Sequence, residues 1–243
     1  MKTTRSVLFS ALAFSVLLVS QPGWTEEGNS TLEVTGTLTP GICTPQLADG
    51  GIIDYGTIYG IGLISTSNQL GVKNIDLTIH CDSPTMVAIY STDNRVDSQA
   101  DVTVKNSWNS GNDAISKDKK RYGLGTTSGG KPIGAFTIGI DLENMQVDDL
   151  PVSNVRMLST TNINAANISW SRSSTDELWE HSYQGYWYAI TPSYNDNDRA
   201  SPIPFTNATI PLIISAAVTK YKNMDTEEEI NLDGNVTLSM IYL

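Results

Sequence analysis

Apolar side chains fall on every second position along residues 230–243: Ile230, Leu232, Val236, Leu238, Met240 and Tyr242, with Gly234 filling the one gap. Period two predicts a strand with one buried face, here ending on a penultimate aromatic and finishing inside the core. Residues 32–38 alternate in the same way (Leu32, Val34, Gly36, Leu38) and then meet the break Pro40-Gly41. Residues 74–81 place Ile75, Leu77, Ile79 and Cys81 on one face, and residues 52–58 predict a second short strand. After a turn over 82–85, residues 86–90 read as a compact apolar strand. Residues 122–142 resume strand texture around a glycine-rich turn, with Phe136, Ile138 and Ile140 on one face, and residues 210–219 predict a further long strand. No segment before residue 90 carries the 3.6-residue stripe of a helix.

The stretches between are polar. Residues 93–121 predict a long exposed loop or short hairpin carrying the basic cluster Lys117, Lys119, Lys120 and Arg121. Residues 143–200 read as an irregular insertion, and the acidic run 225–229 as a solvated connection. Many short strands with turn signals between them predict an all-β sandwich, one domain over residues 26–243 with an insertion at about 143–200.

Residues 1–25 stand apart. Lys2 and Arg5 precede an uncharged stretch from Val7 to Val19, and Pro22-Gly23 follows. This is the layout of a secretory signal peptide, too short for a stable membrane span, with cleavage expected after Thr25 and alternatives after Ser20 or Gly23. No later segment is apolar enough to span, so a soluble periplasmic or cell-surface protein is expected. The leader holds two basic residues and no acidic one, so removing it takes the net charge from −11 to −13. Such a surface repels phosphate backbones and argues against nucleic acid as a partner; it serves solubility or an acidic recognition face. Cys43 and Cys81 are the two cysteines. In an exported chain an even pair reads as a disulfide, which would stabilise the fold by about 4 kcal/mol; the rival is two reduced buried thiols.

Catalytic and cofactor chemistry is thin. Residues 125–131 carry the glycines and lysine of a phosphate-binding loop, but Pro132 stands where a magnesium-binding Ser or Thr is needed, so a hairpin turn is the better reading. His80 and His181 lack a neighbouring nucleophile or a carboxylate arrangement, and no Gly-x-Ser-x-Gly elbow exists. Residues 195–198 (Asn-Asp-Asn-Asp) lack the glycine and terminal Glu of a calcium loop. No catalytic, metal or cofactor residue is therefore assigned. Trp170, Trp179, Tyr183, Tyr186, Trp187, Tyr188 and Tyr194 crowd one stretch. Five of them, Trp179, Tyr183, Tyr186, Trp187 and Tyr188, form a candidate platform for stacking a glycan; the competing reading packs alternate members onto the sandwich.

The first and last strands together resemble chaperone–usher fimbrial subunits. Those share an apolar-x-apolar-x-Gly strand, a cysteine seven residues after that Gly, a second cysteine further on, and a final alternating strand with a penultimate aromatic. Gly36, Cys43, Cys81 and Tyr242 keep this pattern. More specifically, the chain is similar to the uncharacterised periplasmic family that includes GltF. The matching segments are Thr39-Pro-Gly-Ile-Cys-Thr-Pro45, Gly51-Ile-Ile-Asp-Tyr-Gly56, Tyr122-Gly-Leu-Gly125, Ile133-Gly-Ala-Phe-Thr-Ile-Gly-Ile-Asp141 and Leu232-Asp-Gly-Asn-Val-Thr237. The resemblance implies an immunoglobulin-like sandwich of fimbrial type that lacks one strand and receives it from a chaperone or another subunit. Residues 230–243 would then be the partner-facing strand. Residues 26–31 (Glu-Glu-Gly-Asn-Ser-Thr) have no apolar alternation, so the chain is ill-equipped to donate a strand itself. The two functional expectations are therefore a non-enzymatic protein that pairs by strand edges with a pilus chaperone or fimbrial partner, and a free-standing carbohydrate-binding or adhesin-like module.

Overall fold

A computed structural model describes residues 33, 35, 36 and 41–243, apart from 109–110, 116–119, 166, 174–175, 180–188, 195–199 and 226–227. The leader and most of the strand expected over 32–38 lie outside the described residues. The described strands are β1 (Cys43–Leu47), β2 (Asn68–Thr85), β3 (Val87–Asp93), β4 (Arg121–Gly123), β5 (Gly134–Ile140), β6 (Gln146–Val147), β7 (Val155–Thr160), β8 (Ser171–Arg172), β9 (Glu177–Leu178), β10 (Ala189–Tyr194), β11 (Phe205–Val218) and β12 (Val236–Tyr242). A single short helix, α1 (Tyr221–Met224), follows β11.

The first sheet runs β1-β2-β11-β5-β4, with β6 added beside β11 and β9 beside β5; the second runs β12-β3-β10-β7-β8. Every strand pair is antiparallel. One apolar core draws on both sheets, with Leu77, Ile79, Ile138 and Ile210 from the first and Val87, Ile89, Met157 and Ile190 from the second. The alternation in β2 does what its period dictates: Ile75, Leu77, Ile79 and Cys81 are buried while their neighbours are exposed. β11 is the central strand, paired with β2 on one side and β5 on the other. Its Pro211 sits just past the end of the β5 ladder, where its carbonyl accepts the Asp141 N–H, so the missing donor breaks no bond with β5.

Several expectations change. The turn predicted over 82–85 is the end of β2, and the chain passes to the second sheet at Met86. Residues 93–121 are not simply exposed. Val102, Val104, Trp108 and Ala114 are buried in a second small cluster with Ala135 and Ala217. β5 is consequently covered on both faces, and its outward positions are small (Ala135, Thr137, Gly139) because a Cβ at Gly139 would already lie 3.2 Å from Trp108. Arg121, read from sequence as part of a basic surface cluster, is buried and donates to the carbonyls of Ala100 and Val102. Residues 143–200 are more than an appendage: β7 and β10 are interior strands of the second sheet. Alternation alone missed them because both faces of such strands are covered. Among the described residues no helix is long and apolar enough to cross a membrane.

Candidate functional site

The sandwich has one open side. Among the described residues β1 pairs only with β2 and β12 only with β3, so each leaves an edge with no neighbouring strand. The two edges meet at one end. Cys43 and Cys81 are directly opposed and joined by a disulfide, and the Cys43 N–H donates to the Tyr242 hydroxyl at 3.0 Å. The penultimate aromatic thus ties the last strand to the first. Tyr242 itself is 54 % exposed, which corrects the expectation that the chain ends inside the core.

Away from that end the edges diverge over a groove of about 840 Å³. Its floor is the inner face of the first sheet, including Ile75, Phe136, Ile138, Leu212 and Ile214. One wall is Ile230, Leu232, Gly234, Val236 and Leu238. β12 begins at Val236; residues 230–235 form no ladder, because Asp233 N–H is taken by the Leu124 carbonyl as the chain crosses the end of the sandwich. Gly234 has a local reason here. A Cβ would lie 2.9 Å from the Phe136 ring and 3.1 Å from Leu124, so glycine permits the close crossing. Leu232, Val236, Leu238 and Met240 pack on the core yet stay half-buried. Full burial of such side chains is worth roughly 1.5–3 kcal/mol each, so a covering strand would recover about 1 kcal/mol per residue.

The other wall starts at Leu47 and continues through residues 51–58. The strand expected over 52–58 is not formed. Ile53 and Tyr55 point at the core, while Ile52, Tyr59, Ile61 and Ile64 are exposed, Ile61 at 92 %. Tyr55 anchors this segment, its hydroxyl donating to the Ile214 carbonyl at 3.2 Å and the Gly71 carbonyl at 3.4 Å. Burial pushes that hydroxyl up to about 12. Gly71, at φ 93°, marks a register shift between β2 and β11 that re-aims the strands at this end of the groove.

The other candidates are dispersed. Of the aromatic platform only Trp179 is described; Tyr183, Tyr186, Trp187 and Tyr188 lie outside the described residues, as do His181, Lys117, Lys119 and the 195–198 run. Trp179 is half-buried, its indole N–H donates to Glu177 at 3.2 Å, and Lys120 stands 5.0 Å over its ring and equally over Trp108. Lys120 also ion-pairs with the buried Glu177, so this cluster joins β9 to the residue preceding β4. His80 is exposed on the outer face and contacts Asn207 at 2.7 Å. Residues 125–131 form the expected hairpin turn, with Gly125 and Gly130 at positive φ and no helix following. The signal that sequence reasoning missed is Pro45. It lies on the free side of β1 and removes a donor there, as the pairing register makes plain below.

Fold and groove together define a disulfide-bonded, two-sheet antiparallel protein with one uncovered side. Residues 32–137 match the model of a family described as "Protein of unknown function (DUF1120)". The chain is 34 % identical to "Protein GltF" of Escherichia coli (strain K12), across 96 % of this chain and 94 % of that one. It is 31 % identical to "Uncharacterized protein YhcF" of the same organism, across 88 % and 90 % respectively. The chain belongs to this family of unknown function. No solved structure matches it.

Proposed function

We propose that this is a non-enzymatic, fimbrial-subunit-like periplasmic protein with an immunoglobulin-like sandwich, which accepts a strand by edge pairing from a pilus chaperone or a fimbrial subunit. One observation carries the reading: two strand edges without neighbours face each other across an apolar groove, and half-buried core residues line it. Its volume would also suit a small-molecule site of roughly 300–1,000 Å³. The unpaired backbone groups favour a strand, since these need partners and an apolar ligand supplies none. The spacing of Gly36, Cys43 and Cys81 and the penultimate Tyr242 support the same family of folds. The alternative, a carbohydrate-binding module, rests on platform residues outside the described fold apart from Trp179, whose ring Lys120 engages.

The test is expression alone and with a periplasmic pilus chaperone, followed by thermal melting. A strand-accepting protein is poorly soluble alone, co-purifies with the chaperone and melts higher in the complex. A soluble monomer whose yield and melting are indifferent to the chaperone would overturn the reading.

A further inference from the structure

Building on the strand-accepting reading, the backbone register and the charge of the groove narrow the chemistry of its occupant. In β12, the Asn94 N–H donates to the Asn235 carbonyl and the Leu243 N–H to the Met86 carbonyl. Odd-numbered residues therefore bond β3, and the N–H and C=O groups of Val236, Leu238, Met240 and Tyr242 face the open edge. That edge offers a complete two-way ladder. β1 differs. The Asp82 N–H donates to the Ile42 carbonyl, so even-numbered residues bond β2 while Cys43, Pro45 and Leu47 face outward. The Cys43 N–H is taken by Tyr242 and Pro45 has none, which leaves Leu47 as the one outward donor of β1.

The groove is also charged in one sense. Asp54, Glu228 and Glu229 line it, and no Lys, Arg or His does; Lys131, Lys220 and Lys222, near the same end in the fold, are not among the lining residues. Glu228 accepts a hydrogen bond from Ser128 and Asp54 from the Gly56 N–H, both of which leave the negative charge in place. These carboxylates lie at the end away from the disulfide, where Tyr55 reaches Gly71 and Ile214. The chain's own segments ahead of β1, residues 26–38, hold Glu26, Glu27 and Glu33 and no basic residue. Charge thus disfavours that segment as occupant, whether from this chain or from a second copy.

We propose that the groove takes a strand of a separate protein, apolar at alternate positions, laddered on β12, with a Lys or Arg at the end lying over Asp54, Glu228 and Glu229. The test uses the whole secreted protein and synthetic peptides with one apolar alternation, ending at either terminus in Lys, Ser or Glu, titrated by calorimetry. At low salt the Lys-ended peptide of the favoured orientation should bind about tenfold tighter than the Glu-ended one, with Ser between, and the spread should collapse in 1 M salt. Asp54→Asn with Glu228→Gln and Glu229→Gln should erase the preference without abolishing binding. Pro45→Ala, which restores a donor on β1, should tighten binding roughly two- to tenfold. Equal binding of Lys- and Glu-ended peptides, tighter binding of a peptide copying residues 26–38, or no effect of Pro45→Ala would overturn the proposal. Because chaperone rescue is read separately, rescue without the basic preference would sink this chemistry and leave the strand-accepting reading standing.

Discussion

β11 and β12 look alike as sequence and behave differently as structure. Both are rich in alternating apolar residues, yet β11 has a strand on either side and its Ile210 and Leu212 are fully buried, whereas β12 has a neighbour on one side and its Val236, Leu238 and Met240 are half-exposed. Alternation tells a strand which face is apolar. It does not tell whether the chain itself supplies the covering neighbour. The contrast between a completed strand and an uncompleted one is the structural basis of the functional reading, and it can be broken at several points.

The largest effect should come where the open side is pinned shut. Replacing both Cys43 and Cys81 by Ser removes the link between β1 and β2 at the closed end of the groove, and should cost about 4 kcal/mol in urea unfolding. A loss below about 1 kcal/mol would mean that the edges are held there chiefly by β-pairing and the Tyr242 contact. Next come matched truncations in the two strands. Ile210→Ala should cost about 3 kcal/mol and Leu238→Ala about 1 kcal/mol in the free protein, since one side chain is fully enclosed and the other only half. With a bound strand covering β12, the two costs should approach each other. Equal costs in the free protein would remove the distinction on which the groove depends.

Much of this arrangement was legible before any coordinates, for identifiable reasons. Ile75, Leu77, Ile79 and Cys81 are buried as their period dictates, and the cysteine pair follows from an exported chain with two thiols. What escaped is equally physical. β7 and β10 sit in the interior of a sheet, where both faces are covered and alternation fades. Residues 52–58 have strand-like composition yet no partner, because the neighbour they would pair with is absent from the described chain. The loop over 93–121 hides Val104 and Trp108 because the outer face of β5 carries only small residues, a relation between distant segments that no local window can display. The groove was half legible. Its β12 wall could be read from residues 230–242, but the role of Pro45 needs the register, since a proline on β1 matters only once its outward orientation is known.

A smaller effect is expected at Tyr242. Tyr242→Phe keeps the ring and deletes the hydroxyl that accepts the Cys43 N–H, a change of about 1 kcal/mol or less, since water can reach the exposed edge. Hydrogen exchange of the Cys43 amide gives the sharper readout. It should accelerate in Tyr242→Phe while the β2–β11 amides stay protected, and unchanged exchange would show that the two edges are not joined through this bond.

The smallest effect is a matter of pH and bears on the wall that replaces a strand. Tyr55 holds residues 52–58 against the sheet, and its hydroxyl is pushed up to about 12 by burial while an unfolded chain ionises near the ordinary 10. The unfolded state therefore loses its proton first. The stabilisation from keeping Tyr55 neutral is complete below pH 10 and drains away as pH rises toward 12. With no free thiol in the protein, disulfide exchange does not confuse such a measurement. Urea midpoints taken from pH 9 upward should fall more steeply for the wild type than for Tyr55→Phe, which starts lower for want of the hydrogen bond but has no hydroxyl to ionise. Parallel slopes would mean that the segment is fixed by Ile53 and the groove floor alone, and that the wall opposite β12 owes nothing to this buried phenol.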